Sequence, residues 1–213
     1  MDNRCVTAEI LDGLAQDSPD AQASRRDIRI INRLVGTESW FRKILHKHRL
    51  PGELVLEVGA GDGSLGRTLI GEAGNLSGLD LSRRPLDWPL PSNWFQADVL
   101  EFNDWDQFPV VIGNLFFHHF DDAQLKEIGS HFRCARLIVA SEPLRNRRAL
   151  TLFSLLCPFI QAHPVTRYDG RVSIAAGFRD DELPHLLGLD PRQWRWTIHE
   201  TWLGISRLVA ERR

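Results

Sequence analysis

The sequence predicts an α/β fold: a mostly parallel sheet with helices on both faces, preceded by a helical segment. Three observations carry that prediction. Short apolar runs alternate with helix-patterned segments from Glu53 to Ala140, the arrangement of parallel βαβ units. The first run, Leu54–Val58, breaks straight into alternating glycines at 59, 61 and 63, which suit a tight strand-to-helix turn. Two later runs, Trp194–His199 and Leu203–Ala210, sit close enough together to close the sheet as an antiparallel pair. At 213 residues the chain fits one domain with a substantial core.

Each element follows from local pattern. Residues 5–49 read as helical, because Ile10, Leu11 and Leu14, then Ile28, Ile31, Leu34 and Val35, then Trp40, Phe41, Ile44 and Leu45 recur at three- and four-residue spacing. A helix begins near Ser64, after the glycines. Asn75–Ser82 reads as a second strand, Trp94–Val99 as a third and Val110–Asn114 as a fourth. Asp121-Asp122 makes a good start for a helix over Ala123–Arg133, with acids in its first turn. Arg136–Pro143 is a fifth strand. The apolar run Leu150–Ile160 reads as a packed helix or part of a lid, and His163–Phe178 as its more polar continuation. These boundaries divide the domain into a helical cap (1–50), a core (51–143), an insertion (144–190) and closing strands (191–213).

Composition narrows the function. Hydrophobic content of 43%, charged content of 25% and a formal net charge of −2 are those of an ordinary globule and argue against a nucleic-acid partner. The cap is locally basic (Arg25, Arg26, Arg29, Arg33, Arg42, Lys43, Lys47, Arg49), a pattern that is usually a solvated helix face. Cys5, Cys134 and Cys157 are far apart, which implies neither a disulfide framework nor a metal site. The first residues include acids and no apolar leader core, and Leu150–Ile160 is too short to span a bilayer. Together these point to a cytoplasmic protein.

Candidate site residues cluster at strand ends. Glu57 ends the first apolar run, and a charge there is costly unless it has a partner. Gly61-Asp62-Gly63-Ser64-Leu65-Gly66 formally matches the dinucleotide fingerprint, and Asp80 stands where a ribose acid would. That keeps an NAD(P)-dependent oxidoreductase as one reading. The alternative unit, Glu57-x-Gly59-x-Gly61-x-Gly63, is followed by Asp80, by Asp98 and then by Asn114-Leu115-Phe116-Phe117-His118-His119. This series, from about Leu54 to Val139, resembles the ordered motifs of the class I S-adenosyl-L-methionine (AdoMet) methyltransferases that act on small molecules.

That resemblance implies a Rossmann-like seven-stranded sheet, mostly parallel with a closing antiparallel strand, and AdoMet as cofactor. It implies that the amides around Gly59, Ala60 and Gly61 face the methionine end of the cofactor. Glu57 would orient that loop or meet the amino group. Asp80 would take the ribose hydroxyls, Asp98 the adenine amino group, Leu81 and Val99 the adenine faces, and Asn114 would complete the cofactor-binding set. Segment 144–190 corresponds to the substrate lid, and the acceptor would be a small, apolar or aromatic molecule methylated at oxygen or carbon. A non-catalytic AdoMet-binding module working through a partner is a further reading. His118, His119, His163 and Asp169 are candidate general bases, since a histidine near pKa ~6.5 can take a proton at neutral pH. His118 is favoured, with His163 across the pocket. The chain departs from the family at Phe108-Pro109, where an acid is frequent.

Overall fold

The computed structural model describes residues 3–89 and 91–213. Two helices, α1 (Pro19–Leu34) and α2 (Thr37–His48), precede β1 (Val55–Val58). The core continues as α3 (Ser64–Ala73), β2 (Leu76–Asp80), β3 (Trp94–Gln96), β4 (Val110–Asn114), α4 (Asp122–Ser130) and β5 (Leu137–Pro143). Three helices follow: α5 (Arg147–Phe159), α6 (Pro164–Ala176) and α7 (Glu182–Leu186). The chain closes with β6 (Trp194–Glu200) and β7 (Ile205–Arg212). The seven strands lie in the order β3-β2-β1-β4-β5-β7-β6. Strands β1 to β5 pair in parallel, and β7 is antiparallel to both neighbours. The expected single closing strand is therefore present, and its place between β5 and β6 departs from the all-parallel continuation of a dinucleotide fold.

The central strands are buried on both faces, as a parallel sheet requires. Val55, Val110, Ile112, Leu137 and Val139 pack with Phe41 and Leu45 of α2 and Leu65 and Leu69 of α3. The alternate residues Leu56, Val58, Val111 and Ile138 pack on the other face with Leu125 and Ile128 of α4. Helix α4 starts as its sequence predicts: the Asp121 side chain accepts from the Gln124 amide, and the Gln124 side chain accepts from the Asp121 amide, a capping box.

Three expectations are corrected. Residues 5–10 are not helical, and only a short 3-10 turn (Leu11–Gly13) precedes α1. The apolar residues there are held instead as an irregular strap, with the Ile10 and Leu11 amides donating to Asp169 at 2.8 and 3.0 Å. The stretch after His163 is a helix, because Pro164 occupies the first turn, where its missing N–H costs nothing. The last strand begins at Ile205 rather than Leu203, since Gly204 turns the chain at φ +86°. The Phe108-Pro109 departure has a structural use. Phe108 joins Phe95 and Phe102 in an aromatic cluster, and the Pro109 carbonyl accepts the Arg136 and Leu137 amides at the start of β5.

Candidate active site

The strand order reverses at β1 and β4, and the crevice over the carboxyl ends of such strands is where open α/β sheets bind ligands. A cavity of about 1090 Å³ opens there. The turn after β1 forms its floor. Gly59, Gly61 and Gly63 all take left-handed φ (+66°, +58° and +71°), so the alternation in the sequence is a conformational requirement. A Cβ on Gly59 would lie 2.1 Å from the Phe116 ring, whereas a Cβ on Gly61 would meet nothing within 4 Å. Asp80, at the end of β2, holds the turn: its Oδ2 accepts from the Gly61 amide and its Oδ1 from the Ser82 amide, both at 2.7 Å. Asp98 braces its own loop by accepting from the Leu100 amide at 2.9 Å.

Glu57, Gly59, Ala60, Gly61, Asp80, Leu81, Asp98, Val99, Asn114 and His118 all line this one cavity. Glu57 is buried, and among the described residues its Oε2 has no hydrogen-bond partner. Burial, then the nearby Asp80 and Asp62 carboxylates, push its carboxyl up to about 8. Asn114 Oδ1 is likewise buried without a partner. Both residues line the cavity, and a buried polar atom without a hydrogen-bond partner is costly.

The opposite end of the cavity is made of helices and the strap. Ile28, Ile31 and Leu34 of α1 line it rather than entering the core. Leu152, Phe153, Leu155 and Phe159 of α5 face them. Helix α1 is anchored elsewhere: the buried Asp27 accepts from the His163 amide at 2.7 Å and the Thr166 hydroxyl at 2.9 Å. Burial opposes the Asp27 charge, yet these donors and Arg26 hold it below its ordinary value.

Leu115, a non-glycine residue at φ +53°, bends the chain after β4 so that three successive amides converge on Glu142 of β5. Phe116 and Phe117 donate to its Oε1 at 3.0 Å each, and His118 donates to its Oε2 at 3.3 Å. Glu142 also bonds His118 Nδ1 at 2.7 Å, while His118 Nε2 faces Glu9 Oε1 at 3.3 Å. Burial works against a charge on this imidazole. The Glu142 and Glu9 hydrogen bonds and charges outweigh it and raise the pKa to about 9. The base expected at His118 is thus an imidazolium at neutral pH with both nitrogens committed.

His163 is not among the lining residues. It caps α6, accepting from the Val165 amide at 3.4 Å, and its Nε2 lies 3.4 Å from Asp20. Asp169 is occupied with the strap. Several cap arginines also have local partners: Arg25 bonds the Gln16 carbonyl, Arg29 pairs with Asp62 and Arg42 bonds the Thr68 carbonyl. Sequence reasoning missed Glu142 and Glu9. Glu142 carried a usable signal, an acid ending a buried strand like Glu57, whereas nothing near Glu9 in the chain marks it.

No family model matches the sequence, and no curated protein matches it. Solved structures do match over most of the chain. The plantazolicin methyltransferase BamL, in complex with a triazolic desmethylPZN analog and S-adenosylhomocysteine (SAH), aligns with TM-score 0.72 at 10% identity, covering 95% of this chain and 92% of that one. Magnesium protoporphyrin IX methyltransferase from Synechocystis, with bound SAH, aligns with TM-score 0.56 at 19% identity, over 95% and 91% of the two chains. Human N-acetylserotonin methyltransferase in complex with AdoMet gives TM-score 0.56 at 12% identity, over 94% of this chain and 61% of its own. The chain therefore has the fold of the class I AdoMet-dependent methyltransferases.

Proposed function

We propose that this chain is an AdoMet-dependent methyltransferase acting at oxygen or carbon of a small, apolar or aromatic acceptor. One observation carries the reading. The left-handed glycine turn, latched by Asp80, lies beside Glu57, whose Oε2 has no partner among the described residues, at one end of a cavity whose other end is largely apolar. The donor set suits AdoMet. The buried Glu57 Oε2 lacks a donor that the cofactor's amino group supplies, and the open space beside Gly61 leaves bare backbone for its carboxylate. Asp80 and Asp98 would hold ribose and adenine, Leu81 and Val99 the adenine faces, and Asn114 the region between cofactor and acceptor. When bound, the cofactor supplies an activated methyl group whose transfer needs chiefly alignment with the nucleophile.

The acceptor class rests on the far wall. Leu34, Leu155, Phe159 and Leu203 line the cavity yet remain exposed, Phe159 at 86%, so a partly apolar molecule would cover them. This chain's part in the reaction is to bind, orient and exclude water. The charged His118 fixes the wall rather than accepting a proton.

A thermal-shift titration with AdoMet, SAH, NAD(H) and NADP(H) tests the assignment. A ligand at about 100 times its Kd stabilises by about 2.7 kcal/mol, roughly 5–10 °C for a chain of this size. A shift with the two adenosyl compounds alone is expected. A shift with nicotinamides alone overturns the reading. AdoMet binding with no methyl transfer across an acceptor panel would favour a non-catalytic module.

A further inference from the structure

The cavity's apolar end contains one polar knot that methyl transfer does not use. Glu9 of the strap, His118 and His119 each have a ligand atom that lies within 4.8 Å of the others'. The His118 Nε2 to Glu9 Oε1 separation of 3.3 Å is close to that between neighbouring ligands around a small cation, given metal–ligand distances of about 2.0–2.2 Å. All three residues line the cavity.

We propose that Glu9, His118 and His119 form a binding site for a divalent first-row metal ion, with its remaining coordination positions open to the acceptor end of the cavity. Two imidazoles and one carboxylate are a ligand set suited to zinc or ferrous iron rather than to magnesium or calcium.

A second, independent feature supports the site. A ligating histidine normally donates its other ring N–H to a carboxylate, which fixes the ring and its tautomer. Glu142 does this for His118 Nδ1 and is itself fixed by three backbone amides. The third ligand is placed with equal care. The amides of Ile10 and Leu11, next to Glu9, are pinned by Asp169, and the Ser173 hydroxyl donates to the Glu9 carboxylate. His119 is partnered by Asp12 at 3.2 Å, which orients its ring. A bound cation would replace the proton on His118 Nε2, which is released to solvent, take the position now spanned by the His118–Glu9 contact and join strap and wall directly.

The test is calorimetric titration of the chelator-treated full chain with Zn2+, repeated on Glu9→Gln, His119→Ala and His48→Ala. The last removes an imidazole paired with Glu211 away from the cavity and controls for adventitious binding. Saturable binding of a single Zn2+ per chain is expected, weakened about tenfold or more by either cavity substitution and unchanged by His48→Ala. His119 is partly exposed, so its variant decides the matter if Glu9→Gln loosens the fold. Absence of saturable binding overturns the site, and so does binding that neither cavity substitution weakens. The AdoMet thermal shift, measured on the same samples, reports the cofactor end separately, so either assignment can fail alone.

Discussion

The two ends of the cavity are built from different material. At the glycine turn the surface is backbone, shaped by φ angles and latched by Asp80 at the end of β2. At the α1–α5 end it is side chains from three helices and the strap, brought together over long sequence separations. The first kind of surface tolerates almost no substitution because the backbone itself forms the cavity floor. The second can change its occupant by changing side chains while the fold stays as it is.

The sharpest way to break this contrast is at Gly59. Gly59→Ala would force a methyl against the Phe116 ring at a left-handed φ, at a cost of about 3 kcal/mol, and should abolish the AdoMet thermal shift. Gly61→Ala meets open space, so it should cost only about 1 kcal/mol of stability while still weakening AdoMet through the methyl placed in the cavity. Equal stability losses for the two would show that the crowding at Phe116 is not what sets the turn.

Glu57 gives the next largest effect. Its folded pKa of about 8 lies above an unfolded value near 4.3. Its contribution is therefore fully present below about pH 4.3 and is lost as pH rises through 8. Between pH 5.5 and 7 the wild type should lose about 2 kcal/mol through this group, and Glu57→Gln should lack that decline. Urea unfolding of both proteins across the range measures it.

Asp80→Asn removes the charge that receives the Gly61 and Ser82 amides. Charge-assisted hydrogen bonds contribute about 1.5–3 kcal/mol, and a loss of about 1.4 kcal/mol in AdoMet binding reads as tenfold in Kd. The smallest effect belongs to His163→Ala. It should cost about 0.5–1 kcal/mol through the lost α6 cap and leave the AdoMet shift unchanged. A large loss of methyl transfer with intact AdoMet binding would return His163 to the acceptor site.

The same contrast explains what could be read from the sequence. The sheet, the helix starts and the cofactor end depend on short-range pattern. Alternating glycines demand left-handed turns, acids close buried strands, and Asp121-Asp122 announces a helix start. All ten predicted residues from Glu57 to His118 reach the one cavity for this reason. The α1–α5 end depends on tertiary neighbours. The apolar spacing of Ile28, Ile31 and Leu34 signals a helix, but it carries no mark of facing a cavity instead of a core. The charge state of His118 is not legible because Glu142 and Glu9, whose hydrogen bonds and charges outweigh burial and raise its pKa, lie far away in the chain. His163 looks like a pocket histidine until Pro164 behind it is recognised as the start of a helix.

The position of β7 also dictates an order of assembly. Strand β6 precedes β7 in the chain, yet it reaches the sheet only by pairing with β7. Until β7 docks, β5 has one free edge, and every residue along β5 is buried in the finished protein. If β5 pairs with β4 as the chain emerges, it carries an unpaired strand edge for the time needed to make more than sixty further residues, numbered 144–204 with β7 after them. Such an edge is a template for pairing with other chains. The yield of folded protein should thus depend on how β5 is shielded during synthesis, a vulnerability that belongs to the connectivity rather than to the stability of the finished sheet.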